Sequence, residues 1–212
     1  SERANGGHVA MAKGDKQLRG ALLEEALLYL LKRSGYKPIT AAGNDPTLRA
    51  GSSGLELRGR GAWHQIVAIS DFRVTPPFTN PQTLLVEGKF LTTRVGLPIA
   101  RNGLGVLKDV SENWLLTGNA TSPIPSKRHH YLYAIFSATE FTRPAQDYAF
   151  AHDLPLLALR NSAFFRPIIE AIEGVTLDDL DEWSRLKDIR RFVRARLLGI
   201  GGPQIDADVA SL

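Results

Sequence analysis

Between residues 18 and 31 apolar side chains return every three or four positions: Leu18, Leu22, Leu23, Ala26, Leu27, Leu30 and Leu31. This period predicts a helix with one buried face, and Gly35, after Lys32 and Arg33, is placed to stop it. Residues 40–53, rich in Ala, Gly, Asn, Asp, Pro and Ser, read as a flexible loop. Strand patterns follow. Leu55–Arg58, Trp63–Val74 and Thr83–Leu91 are predicted strands, the last two separated by a proline-rich turn, and together they read as an antiparallel meander. Leu104, Leu107, Val110 and Trp114 predict a helix over Leu104–Leu116.

The run Tyr131–Ser137 is almost continuously apolar, which suits a strand covered on both faces. Thr142, as N-cap before Pro144, opens a helix through Ala151, and Leu154–Leu159 is a second buried strand. Strand, helix and strand within about thirty residues predict a right-handed parallel crossover. Helices are further expected over Phe164–Ile172 and Leu180–Leu198. The fold class is α/β: a mixed central sheet, antiparallel meander plus βαβ, flanked by helices. Residues 11–202 form one domain. Residues 1–10 lack periodicity and read as a leader left by expression, with Met11 as the start, and 203–212 read as a frayed tail.

Composition narrows the class. The 212 residues contain no cysteine, which excludes a disulfide scaffold, a zinc finger and a thiol nucleophile together. No run of about 18 apolar residues occurs, so no membrane partner and a cytoplasmic location are expected. The net charge of +4 permits a polyanionic partner without demanding one.

Glu87 and Lys89 in Thr83–Leu91 carry the most information. Alternate residues of a strand share a face, so the two project together from an otherwise apolar segment. Burying two charges in a central strand costs several kcal/mol per ion, roughly, and pairing alone often fails to offset it. The chemistry that suits the pair is metal-assisted phosphodiester cleavage, in which a carboxylate holds Mg²⁺ (or Mn²⁺) and a lysine positions water and offsets developing charge. The triplet is weak by itself, since roughly one acid-x-Lys match is expected by chance in a chain of this composition. A surface ion pair on an edge strand is the structural alternative.

Other candidates are secondary. Gln65 would share a face with position 67 and could orient water or a phosphate. Arg58 and Arg60 before the hairpin, Arg94 and Arg101 after Lys89, and Lys127-Arg128 could line one rim of a groove for a phosphate backbone. His129 and His130 face apart and suit phosphate contact better than a shared metal. Arg185, Lys187, Arg190, Arg191, Arg194 and Arg196 lie opposite an apolar stripe. They fit a solvated face, DNA contact, or docking to another domain or subunit. Gly59-Arg-Gly61 and Gly103-Leu-Gly105 lack the rest of any nucleotide-binding motif and read as a turn and a helix start.

In order and spacing these segments resemble the PD-(D/E)xK nuclease superfamily, in particular its Mrr-like restriction endonucleases. Residues 20–36, GALLEEALLYLLKRSGY, resemble the opening helix with its acid, a place Glu24 takes. Residues 59–91 resemble the catalytic hairpin, and 136–149 with 152–157 the stretch after the core; the likeness spans about residues 18–160. The resemblance implies a restriction-endonuclease-like core and a Mg²⁺-dependent DNA endonuclease of defence type, acting as a homodimer or with further domains or subunits. Glu87 would bind metal, Lys89 would position the attacking water and Glu24 would support the site.

One position departs from the pattern, which leads to an aspartate at 67 where this chain has Val67. Three explanations stand: Asp71, about 13 Å along a regular strand, takes over as ligand; catalysis is lost, leaving a noncatalytic DNA- or partner-binding module; or the residue was changed to trap a substrate.

Overall fold

The computed structural model describes residues 13–52, 54–113, 115–117, 124–126, 129–177 and 185–199. The first helix, α1 (Lys13–Arg33), buries Leu18, Leu23, Leu27, Leu28 and Leu31 and ends where Gly35 takes a left-handed φ of 90°. Strands β1 (Tyr36–Ile39), β2 (Leu48–Ala50), β3 (Leu55–Arg58), β4 (Trp63–Ile66), β5 (Ala68–Phe72) and β6 (Gln82–Lys89) follow, then α2 (Leu97–Ser111). After β7 (Leu115–Thr117) and β8 (Ile124–Ser126) come β9 (His130–Ser137), α3 (Arg143–Ala151), β10 (Leu156–Ala158), α4 (Arg166–Glu173) and α5 (Leu186–Leu198).

The described residues form an α/β structure around a mixed five-stranded sheet of order β1-β5-β6-β9-β10. Antiparallel pairing joins β1 to β5 and β5 to β6, whereas β6, β9 and β10 run parallel. The parallel β9-α3-β10 unit expected from the pattern is formed, but the three-strand meander is not: Leu55–Arg58 pairs with β2 and β4 in a separate sheet, and β1 takes the place beside β5. Strands β2, β3 and β4 form a second antiparallel sheet, and β7 pairs with β8. Helices cover both faces of the large sheet. Val86 and Ala68 join Leu23, Leu27, Ile169 and Leu198 in one core, and Leu85, Ile69, Tyr133 and Ile135 join Val106, Val110 and Ala145 in the other. No helix among the described residues is long and apolar enough to cross a membrane.

Other expectations are corrected as well. The strand expected over Trp63–Val74 breaks at Val67 into β4 and β5, which belong to different sheets. Ile66 and Ile69 are buried in the same core although a continuous strand would point residues three apart to opposite faces, and the bend reconciles them. The helix expected over Leu104–Leu116 instead spans Leu97–Ser111, with Pro98 in its first turn, so Gly103 and Gly105 are mid-helix. The loop at 40–53 contains β2, and β1 was masked in the pattern by Pro38, which an edge strand accommodates. Thr142 does cap α3 by position, but its side chain makes no cap hydrogen bond; its N–H donates to the Val95 carbonyl. Residues 1–10, 203–212, Lys127 and Arg128 lie outside the described residues.

Candidate functional site

The β5 ladder on β6 ends at Ala68 opposite Val86, because the chain turns away at Val67. Glu87 and Lys89 sit just past that point, on the sheet face that also carries Leu85 and Tyr133. The expected pairing is formed: Lys89 Nζ lies 2.5 Å from Glu87 Oε1, with the side chains 31% and 17% exposed. Both groups are half-buried and neither points into bulk solvent.

Tyr133, on β9, hydrogen-bonds to the Glu87 carboxylate with its hydroxyl as donor. Burial raises the phenol pKa well above its usual range, and the Glu87 charge and this hydrogen bond add to the rise. The ring is fixed by the helix above it. A Cβ at Gly103 would lie 2.8 Å from Tyr133 Cε1, so only glycine lets α2 approach this closely. Sequence reasoning missed Tyr133 because in the apolar Tyr131–Ser137 run its ring is indistinguishable from core.

The first helix reaches this region from the other face. Leu23 and Leu27 pack towards Gly88, whose direction is opposite to that of Glu87 and Lys89. Glu24 therefore does not look directly onto the pair across one layer. Its carboxyl pKa is raised, chiefly by burial; Arg190 opposes the rise, and the Glu25 and Glu87 charges reinforce it. Its direct partner is Arg190, with Nη2 at 2.6 Å from Glu24 Oε2.

Glu25, not Glu24, is the fully buried acid. Arg194 grips it through Nε and Nη2, both at 2.7 Å, and Arg190 Nε donates at 3.0 Å. The i, i+4 spacing of Arg190 and Arg194 on one side of α5 was visible in the sequence; that α5 docks beside α1 was not.

The remaining candidates are dispersed. Asp71 stands opposite Thr83, four register positions from Glu87, and accepts a 2.6 Å hydrogen bond from the Thr83 hydroxyl. The same hydroxyl oxygen lies 2.5 Å from His129 Nδ1, so this histidine is engaged inside the fold rather than offered to a phosphate. Asp71 cannot replace a ligand at position 67. Gln65 is exposed on β4 opposite Glu56 and shares no regular strand with β5, so the proposed common face with Val67 is not formed. Arg58 stacks over the Trp63 ring and Arg60 pairs with Glu112 beyond the C-terminal end of α2, while Arg94 pairs with Glu140 before its N-terminal end. A 15-residue helix of about 22 Å separates them, so they do not form one rim. His64 turns onto α2, where Asp109 takes its Nε2 at 2.7 Å and two turn amides besides.

The donors do not fit the divalent cation implied by the sequence resemblance. A hard cation needs several oxygen ligands. Here Glu87 is held by Lys89 and Tyr133, both oxygens of Glu25 are taken by arginines, Glu24 is paired with Arg190, and Val67 presents alkyl carbons. Among the described residues no group of three or more His, Asp or Glu side chains is placed to hold a metal ion.

What lies beside Val67 is a mostly apolar cleft edged by two arginines already paired with Glu24 and Glu25. The cleft, of about 350 Å³, is bounded by Val67, Ile39, Leu55, Gly54, Arg190 and Arg194. No known family model matches the chain, and no curated protein matches it. A solved structure does: "Crystal Structure of Protein of Unknown Function AF1548", with TM-score 0.50 and 15% identity over 85% of this chain and 97% of that one. The likeness is one of fold.

Proposed function

We propose that this chain has a restriction-endonuclease-like core whose hydrolytic centre is incomplete, and that it works as a noncatalytic DNA-binding module. The observation carrying this reading is the neutralisation of every acid at the centre by the protein's own groups. Lys89 and Tyr133 satisfy Glu87, Arg190 and Arg194 satisfy Glu24 and Glu25, and Val67 supplies no side-chain oxygen. Phosphodiester hydrolysis needs a group that stabilises charge on the transferring phosphoryl and an activated water. Binding needs only surface cations that can meet phosphates, and the exposed Lys187 and Arg191 of α5 support that reading.

A second reading keeps hydrolysis: a Mg²⁺-dependent endonuclease of defence type silenced at one position. The Glu87–Lys89 pair, with the Glu24 charge close enough to be coupled to Glu87, favours it. The two are separated by incubating labelled duplex DNA with Mg²⁺ or Mn²⁺ and the chain, its Lys89→Ala variant, and its Val67→Asp variant. The binding reading expects retardation of DNA that weakens steeply with salt, and no cutting by the unaltered chain. Cutting that disappears with Lys89→Ala would overturn it in favour of the enzyme. Cutting gained only with Val67→Asp would identify a silenced endonuclease, and no retardation at low salt would remove the DNA-binding function.

A further inference from the structure

Helix α5 carries Lys187, Arg190, Arg191, Arg194 and Arg196 against one acid, Asp188. Positions 187, 190, 191 and 194 follow the i, i+3, i+4, i+7 spacing, so four cations form one stripe along the helix. The stripe borders a second cleft of about 500 Å³, closed on its other side by Ser52 and Gly54 of the β2–β3 turn. Gly54, Arg190 and Arg194 line this cleft and the one containing Val67, so the two adjoin.

The stripe is divided in role. Arg190 and Arg194 are immobilised by Glu24 and Glu25, which fixes the planes of their guanidinium groups and holds the helix in place. Lys187 and Arg191 stand on the exposed side; Arg191 has a surface bond to Asp188, of the kind that adds little and yields readily to another anion. Opposite them Gly54, at φ 152°, has no Cβ, and Ser52 is exposed. That wall lets a ligand's backbone come close to the chain. From 187 to 191 the helix rises about 6 Å, close to the axial length of about two nucleotides of one strand.

We infer that Lys187 and Arg191 on the exposed side of α5, facing Ser52 and Gly54, contact the phosphate backbone of a nucleic acid and set one strand beside the Val67 cleft, while Arg190 and Arg194, paired with Glu24 and Glu25, hold the helix that presents them. The inference rests on the DNA-binding reading above and adds where the strand lies. An acidic protein segment is the competing occupant; it lacks the regular charge spacing that makes binding insensitive to sequence.

The test measures binding of a fluorescein-labelled mixed-sequence duplex to the full chain across a NaCl series. Lys187→Glu/Arg191→Glu is compared with Lys108→Glu/Arg143→Glu, an equal change of net charge on α2 and α3, where Arg143 is likewise surface-paired with an acid, Asp147. The stripe variant should bind at least about tenfold more weakly, and Lys187→Gln/Arg191→Gln should lower the slope of log K against log salt by about 2, one unit per lost phosphate contact. The α2/α3 variant should stay within about twofold of the parent. If both reversals weaken binding alike, or neither does while the parent binds DNA, the placement on α5 is wrong and the DNA-binding function survives. If the parent binds no duplex, both fall, and capture of a poly-glutamate peptide by the parent but not by the stripe variant would assign α5 to an acidic protein instead. The neutral double variant guards against misfolding, since both altered side chains are exposed.

Discussion

Glu24 and Glu25 are neighbours in the chain and opposites in environment. Glu25 is sealed between two arginines, whereas Glu24 is 23% exposed, shares Arg190 and sits in the field of two other carboxylates. Burial and that repulsion outweigh Arg190 and Arg194, so folded Glu24 holds its proton to a higher pH than the unfolded chain does. Between the ordinary glutamate value of 4.5 and its raised value the native state binds the extra proton, and stability therefore falls as pH rises through this window. Glu24→Gln should flatten that limb in urea midpoints measured from pH 4.5 upward; an unchanged slope would contradict the assignment. The common face of Glu87 and Lys89 was legible from strand alternation alone. Which of the two acids is buried was not, because it depends on where α5 docks.

At the scale of elements, α2 shows two glycines with opposite reasons. Gly103 faces the Tyr133 ring that holds Glu87, and an added methyl would collide at 2.8 Å; Gly105 has nothing within 4 Å of such a methyl. Gly105→Ala should stabilise the protein by about 0.5–1 kcal/mol through helix propensity. Gly103→Ala gains the same propensity but forces apart a packed layer, at a cost of about 1–3 kcal/mol. Its thermal midpoint should fall while that of Gly105→Ala rises; two rises would mean that Tyr133 yields easily. The helical period correctly announced α1, Thr142 before Pro144 announced α3, and the almost continuous apolar run announced β9. The pattern failed where two periods compete. Ile66, Val67 and Ala68 look like one strand, yet the demand to bury Ile66 and Ile69 together bends the chain and ends the ladder beside Glu87.

For the molecule as a whole, α5 closes the structure by docking on α1 through Glu25. Breaking a buried ion pair from one side strands the remaining charges, typically at about 3–5 kcal/mol. Glu25→Gln should therefore lower unfolding stability by about 3 kcal/mol and release the protection of α5 amides from hydrogen exchange before that of β6 and β9. A variant as stable as the parent would show that α5 is held by its apolar face alone.

The residue pattern determined the α/β class, the parallel β9-α3-β10 unit and the opposite charges sharing one side of β6, because each of these follows from local signals: apolar runs, helix-start residues and strand alternation. Tertiary packing decided the rest. It set Tyr133 against Glu87, gave Asp71 and His129 to Thr83, sent Arg60 and Arg94 to opposite ends of α2, and brought the arginines of α5 to acids some 165 residues earlier in the chain. No local period records a partner that distant; it is chosen only when the sheet and its two helical layers close.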